Sequence, residues 1–320
     1  MVTIVCTLFE DHYHQGVGAL VNSLYKQGYK GEIFAGYRGN LPPWANTVKI
    51  DEEVQWEGTV TFAVAENLNI HFLPVITDFH FTNYKPEFLL QVWEMKIKSS
   101  NNLSGIFYFD PDIVNECDWE FYERWISYGV ALVHESVWND MPNNHPKRFQ
   151  WRTISDDLGY EVTNKLSSYI NAGFIGVSKN RIGFLKMWSQ FIDHSAASSD
   201  LDKRKFSQSN RNSDLFSVAD QDLLNLTAMC TQEDISEFGP DGMGLLGVGG
   251  WLMTHATGSP KPWQKSLLKS WILKGFVPGV FDKSFWTNVS GPIHPYTRRF
   301  VLKKKILIKL ISFLGRFYKR

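Results

Sequence analysis

The sequence predicts an α/β fold: a mixed, mostly parallel sheet flanked by helices, followed by a basic amphipathic helix at the C-terminal end. Three observations predict it. The chain opens with a strand, a helix and a second strand over residues 2–37, the pattern of a βαβ unit. Ile106-Phe107-Tyr108-Phe109 places four large apolar residues in a row, as strands buried on both faces do. Residues 283–320 carry ten Lys and Arg and no Asp or Glu.

Composition narrows the class further. The 320 residues, 43% hydrophobic and 21% charged, suit one large globular domain or two packed halves. The formal charge of zero hides a polarity. Removing the ten basic residues of 283–320 leaves 23 Lys and Arg against 33 acids in residues 1–282, a net of −10. An acidic body of this kind argues against nucleic acid as a partner. Cys6, Cys117 and Cys230 are odd in number and lack disulfide or zinc spacing, which points to a reducing compartment. The opening nine residues are too short for a signal peptide, and no apolar run reaches spanning length, so the reading is cytoplasmic.

Taken in order, Val2-Thr3-Ile4-Val5-Cys6-Thr7-Leu8-Phe9 is a β-rich strand, and the loop after it lies at the edge where α/β sheets bind ligands. Thr7 there is a candidate nucleoside contact or part of a plain loop. A helix over 16–27 follows, with Val17, Leu20, Val21 and Leu24 on one face, and then a strand over 32–37. Residues 48–51 and 72–75 read as short strands, and 57–69 is ambiguous. Lys85-Pro86 opens a helix, with Pro where its missing N–H is tolerated. Phe88, Leu89, Val92, Trp93 and Ile97 give it an apolar face. Lys85 and Lys96 either face a phosphate or are solvated.

The buried strand 105–109 ends in Asp110-Pro111-Asp112. Proline cannot donate to a ladder, so pairing stops and both acids emerge at the carboxyl end. Two hard oxygen ligands one residue apart suit Mg²⁺ or Mn²⁺, which can hold a diphosphate; the alternative is an acidic turn. Further on come a helix over 119–127, a strand over 129–134 and a polar, aromatic loop over 139–152. That loop is either sugar-binding or a surface loop with a tucked-in Trp151. A strand over 169–177, broken by small residues, precedes a helix over 182–192 and a mobile surface segment over 194–213. Asp220-Gln221-Asp222 leads a helix over 223–229. A glycine-rich loop over 239–250 leads to a last strand over 251–255.

Four pieces in this order carry a resemblance. They are Asp110-Pro111-Asp112 after its strand, Tyr169-Ile170-Asn171-Ala172-Gly173, Asp220-Gln221-Asp222-Leu223-Leu224-Asn225, and His255-Ala256-Thr257-Gly258 with Lys261-Pro262-Trp263. Together they resemble the GT-A glycosyltransferases of the glycogenin and bacterial lipopolysaccharide galactosyltransferase type, family 8, over roughly residues 1–263. The resemblance implies a GT-A fold over 1–282, divided into a nucleotide-sugar half, 1–115, and an acceptor half, 116–282. It implies Asp110, Asp112 and His255 as ligands of Mn²⁺ (or Mg²⁺) bridging a donor diphosphate, and mixed carboxylate and imidazole ligation suits Mn²⁺ better. Gly258 and Lys261 would meet the diphosphate and Thr7 the base. Asn171, Ala172, Gly173, Asp220 and Gln221 would line the donor sugar. Gln221, Asp220 and Asp222 are the catalytic candidates, and the residues do not choose among them. Leu8-Phe9-Glu10 departs from the acidic-polar run usual after the family's first strand, and Lys85-Pro86-Glu87-Phe88 stands where the family carries an Arg-bearing helix.

The expected function is metal-dependent transfer from a nucleotide-sugar, UDP-linked and with retention, to a glycan or lipid-linked glycan in cell-surface polysaccharide synthesis. Two alternatives belong to other classes: a haloacid-dehalogenase-type phosphatase with Asp110 as nucleophile, and a non-catalytic sugar-nucleotide or glycan-binding module. The tail 283–320 reads as an interfacial helix over 298–320. Leu302, Ile306, Leu310, Phe313 and Phe317 lie on one side, and Lys305, Lys309, Arg316 and Arg320 on the other. It would lie on the anionic inner face of the cytoplasmic membrane, and a chain ending near Pro295 would stay folded. The alternative is docking on the protein's own acidic body.

Overall fold

A computed structural model describes residues 1–100, 102–137, 140–199, 201–208 and 215–317. Asn139 of the polar stretch, residues 209–213 of the surface segment and Arg320 of the last helix lie outside them.

In chain order the elements are β1 (Val2–Glu10), α1 (His14–Lys26), β2 (Gly31–Arg38), β3 (Lys49–Ile50), β4 (Val60–Ala65) and β5 (Leu68–Pro74). Then come α2 (Phe81–Ser99), β6 (Leu103–Phe109), β7 (Ile113–Asn115), α3 (Trp119–Tyr128), β8 (Val130–His134) and α4 (Pro146–Asp157). β9 (Ile170–Ser178), α5 (Gly183–Ser198), α6 (Ala219–Cys230), β10 (Ile235–Phe238) and β11 (Met253–His255) follow. α7 (Leu267–Lys274), α8 (Val280–Asn288) and α9 (Arg298–Leu314) end the described chain.

One nine-stranded sheet runs β10-β8-β9-β6-β1-β2-β5-β4-β3, and β11 and β7 form a separate antiparallel pair. Parallel pairing of β1 with β2 and β6, of β2 with β5 and of β10 with β8 makes seven of the nine strands point the same way. Only β4 and β9 oppose them. The parity of β1 shows why helices cover both faces. Ile4, Cys6 and Leu8 join the core under α2, α5 and α6, while Val5 and Phe9 join the core under α1 and α3. The strand order reverses at β1, so its carboxyl end and that of β6 open one crevice between them.

Three sequence expectations change. Helix α2 starts at Phe81, because His80 caps it by accepting the Thr82 N–H at Nδ1, 3.3 Å away. Pro86 therefore sits inside the helix, which continues because Phe88, Leu89 and Val92 are buried along it. The expected loop at 139–152 is largely helix α4, with Pro146 in its first turn. Its Trp151 is fully buried, and Arg148 is buried too, donating to the carbonyls of Met141 and Ser168. Trp151 is thus tucked in, as one of the two readings had it, while Asn143, Asn144 and His145 stay outside the core. Position 282/283 lies within α8, Val280–Asn288. Finally, α9 is docked: Val301, Ile308 and Ile311 are buried in a cluster with Phe285, Trp286 and Val289. Among the described residues no helix is long and apolar enough to cross a membrane.

Candidate active site at the carboxyl edge of the sheet

The site is built where β6 gives out. Asp110 follows its last residue, Pro111 ends the pairing, and the chain turns with the Ile113 N–H donating to the Asp110 carbonyl at 3.0 Å. β7 then runs antiparallel to β11 with Ile113 opposite His255, and the Ala256 N–H donates to the Asp112 carbonyl at 3.1 Å. A histidine distant in sequence is thus clipped beside the acid turn. Its Nε2 lies 3.3 Å from Asp112 Oδ1 and 3.7 Å from Asp110 Oδ2. One ligand atom from each of the three residues falls within 4.8 Å of the others.

Two glycines make room. α1 crosses the acid turn so closely that a Cβ on Gly16 would lie 2.0 Å from the Pro111 carbonyl oxygen. A Cβ on Gly173 would lie 2.5 Å from His255 Cε1. β9 supplies Gly173 because it runs antiparallel to β6, which brings its amino end to this edge. The Gly173 carbonyl accepts the Asp110 N–H at 2.7 Å.

Lys85 is buried under the cluster rather than solvated. Its ammonium lies 3.1 Å from Asp110 Oδ1, 3.1 Å from Asp220 Oδ2 and 3.0 Å from the Ala172 carbonyl. The Tyr108 hydroxyl also donates to Asp110 Oδ1, at 3.0 Å. On the other side, Lys261 donates to Asp112 Oδ2 and to the Ala256 carbonyl. These pairs set the titration. Burial pushes Asp112 up, but His255 and Lys261 outweigh it and hold the carboxyl far below the usual range. Burial alone would lower His255, Lys261 and Lys85; Asp112 beside the first two, and Asp110 and Asp220 beside the third, raise them instead.

The donor-sugar candidates gather nearby. Gln221 accepts the Ala172 N–H at Oε1, 3.0 Å away. Asn171 accepts the Gly173 N–H and donates to Glu135. Asp220 is buried, and its Oδ1 has no hydrogen-bond partner among the described residues. Asp222 faces elsewhere: Oδ1 accepts from the Tyr169 hydroxyl at 2.6 Å, and Oδ2 from the backbone N–H groups of Ser217 and Val218. Burial pushes its carboxyl up to about 6. Thr7 is fully buried inside β1, which runs on to Glu10, and its hydroxyl has no partner among the described residues. Gly258 sits in the left-handed region at φ +77°, ahead of Lys261.

Sequence reasoning passed over His12, Tyr13 and Glu135. The Trp263 indole N–H donates to His12 Nδ1 at 3.0 Å, Tyr13 meets Trp263 edge-on, and the Lys261 ammonium lies 5.7 Å from the Tyr13 ring centre. Only the run of polar aromatic residues directly after β1 hinted at this wall. The donor chemistry fits a divalent ion: two carboxylates and one imidazole converge, His255 Nδ1 has no partner among the described residues, and Gly173 clears the ring's place.

No protein-family model and no curated protein sequence matches the chain. Among solved structures it is similar to one described as the apo structure of WbbM, a bifunctional glycosyltransferase. The TM-score is 0.54 and the identity 15%; the match covers 95% of this chain and 51% of that one, so the chain spans about half of that protein's length. With the sheet order above, this likeness shows the fold: a mixed α/β domain of the GT-A, Rossmann-like type.

Proposed function

We propose that the protein is a metal-dependent glycosyltransferase related to family 8. It would move a hexose from a nucleotide-sugar, UDP-linked, to a glycan or lipid-linked glycan, with retention, in the building of a cell-surface polysaccharide. The observation that carries the reading is the convergence of Asp110, Asp112 and His255 at the carboxyl edge of a GT-A-type sheet. Those three residues would hold Mn²⁺ (or Mg²⁺), which when bound supplies Lewis-acid stabilisation to the diphosphate oxygens.

The chain's own residues divide the remaining work. Lys85 neutralises Asp110 and Asp220 and holds both carboxylates in place without titrating itself away. Lys261 offers a point charge to the departing nucleoside diphosphate, beside the backbone at Gly258. Thr7, on the α1 face of β1, belongs to the base side. Asn171, Ala172 and Gly173 line the sugar. Of the three catalytic candidates, both oxygens of Asp222 are engaged, whereas Asp220 keeps one oxygen without a partner among the described residues, and Gln221 is oriented by Ala172. Asp220 and Gln221 therefore face the reacting carbon in this reading, and Asp222 holds the start of α6. Residues 1–115 serve the donor, 116–282 the acceptor, and 283–320 rests on an anionic membrane surface.

Asp112→Asn tests the centre while keeping its shape. A nucleotide-sugar at a hundred times its Kd with Mn²⁺ stabilises a specific binder by about 2.7 kcal/mol. Wild type should show a melting shift of that order with one donor of a panel, and Asp112→Asn should lose both shift and turnover. Undiminished Mn²⁺ response in the variant, or Mn²⁺-dependent hydrolysis of a chromogenic phosphate with no donor response, would overturn the reading.

A further inference from the structure

Helix α9 is docked on one face and bare on another. Leu302, Ile306, Leu310 and Phe313 remain between 51% and 59% exposed, although Val301, Ile308 and Ile311 on the same helix are buried. Helix α7 adds Ile272 and Leu273, also exposed. Isolated exposed apolar residues need no explanation, but two helices presenting them together do.

Between α8 and α9 lies a cavity of about 540 Å³ whose walls carry Lys283, Lys305, Lys309 and Arg316 together with Trp286 and Phe313. A second hollow of about 470 Å³ shares Leu302 and Lys305 with it and adds His294 and Arg298. No acid lines either one among the described residues. Two neutral donors in the first cavity lack partners among the described residues. Trp286 is 1% exposed, and its indole N–H has no hydrogen-bond partner among the described residues; the same holds for the Ser312 hydroxyl. Buried donors are normally satisfied, and these two, set in the wall of the groove, find no acceptor among the described residues.

We propose that this groove seats the phosphate head group of an anionic membrane lipid, with α7 and α9 lying in the bilayer interface. Four cations and two neutral donors offer opposite charge and hydrogen bonds to phosphate oxygens. The exposed Leu, Ile and Phe side chains beside them match the acyl boundary, which a soluble anion would leave in water. The groove lies one helix from the metal ligands, because Thr254, next to His255, donates to Ser284 of α8 at 2.8 Å. The inference rests on the interfacial placement proposed above and not on the transfer chemistry.

The test uses the full-length chain and two binding readouts that need no transfer activity. Monomeric short-chain phosphatidylglycerol should raise the melting temperature, and Trp286→Phe with Ser312→Ala should abolish that rise while keeping the ring packed. In co-sedimentation, phosphatidylcholine vesicles should bind only when phosphatidylglycerol is added. Lys305→Gln and Lys309→Gln, which remove two of the cations lining the groove, should each weaken that binding roughly five-fold, the equivalent of one basic residue at an anionic surface. An unchanged rise in the Trp286/Ser312 double variant overturns the groove, as does an equal rise from inorganic phosphate. A rise without vesicle binding overturns the interfacial placement and leaves the groove standing.

Discussion

At Gly173 a single hydrogen keeps the imidazole of His255 where the two carboxylates can share it. The small residues of 169–177 read, from sequence, as a place where a ligand nears the backbone. The structure supplies a nearer neighbour, the histidine ring itself. Gly173→Ala should push the ring aside and weaken Mn²⁺ binding roughly ten- to hundred-fold, the range seen when support of a metal ligand is lost. The cost in stability should stay near 1–3 kcal/mol, as for other overpacked sites. A Mn²⁺ titration followed by melting temperature separates the two effects; unaltered affinity would mean that the ring has another way to sit. Lys85 carries a related lesson. A lone lysine in a sequence is normally solvated, and only the meeting of Asp110 and Asp220 around it makes it a buried counter-ion.

At the scale of elements, periodicity and breakers placed most strands and helices, while caps and partners decided the rest. His80 moved the start of α2, and an antiparallel β9 turned its amino end toward the site. Helix α9 was legible as amphipathic with one apolar side, but the sequence does not say which of its apolar residues dock. The structure buries Val301, Ile308 and Ile311 against α8 and leaves the Leu302–Ile306–Leu310 stripe outside. A chain ending near Pro295 should therefore not behave as a trimmed but intact domain. It gives up three buried aliphatic side chains at roughly 1.5–3 kcal/mol each, and it uncovers Trp286. Such a chain should melt lower and aggregate more than the full-length protein; coincident melting curves would show that the docking contributes nothing.

Over the whole molecule, charge is sorted by position: a net of −10 in residues 1–282 and ten cations with no acid after Asp282. The cations share one end with the exposed apolar residues of α7 and α9. If that end meets an anionic surface, binding must weaken as salt shortens the screening length from about 10 Å at 0.1 M to about 3 Å at 1 M. Vesicle co-sedimentation across that range should fall steeply, while Mn²⁺ binding at the buried Asp112 and His255 changes little. Salt-independent sedimentation would assign the attraction to the apolar residues alone.

The local pattern by itself determined the α/β class, the central strand, the acid turn after it and the amphipathic last helix. Each depends on residues near in sequence: alternation, an apolar run, a proline that cannot pair. Tertiary structure alone decided that β9 runs against its neighbours, that Lys85 and Lys261 are locked to carboxylates, that Asp222 turns away from Asp220, and which stripe of α9 faces out. The physical reason is common to all four. Direction, ion pairing and burial are set by groups from 12 positions away, as Val289 is from Val301, to 149, as Asp112 is from Lys261, and no local spacing records which of those groups will arrive.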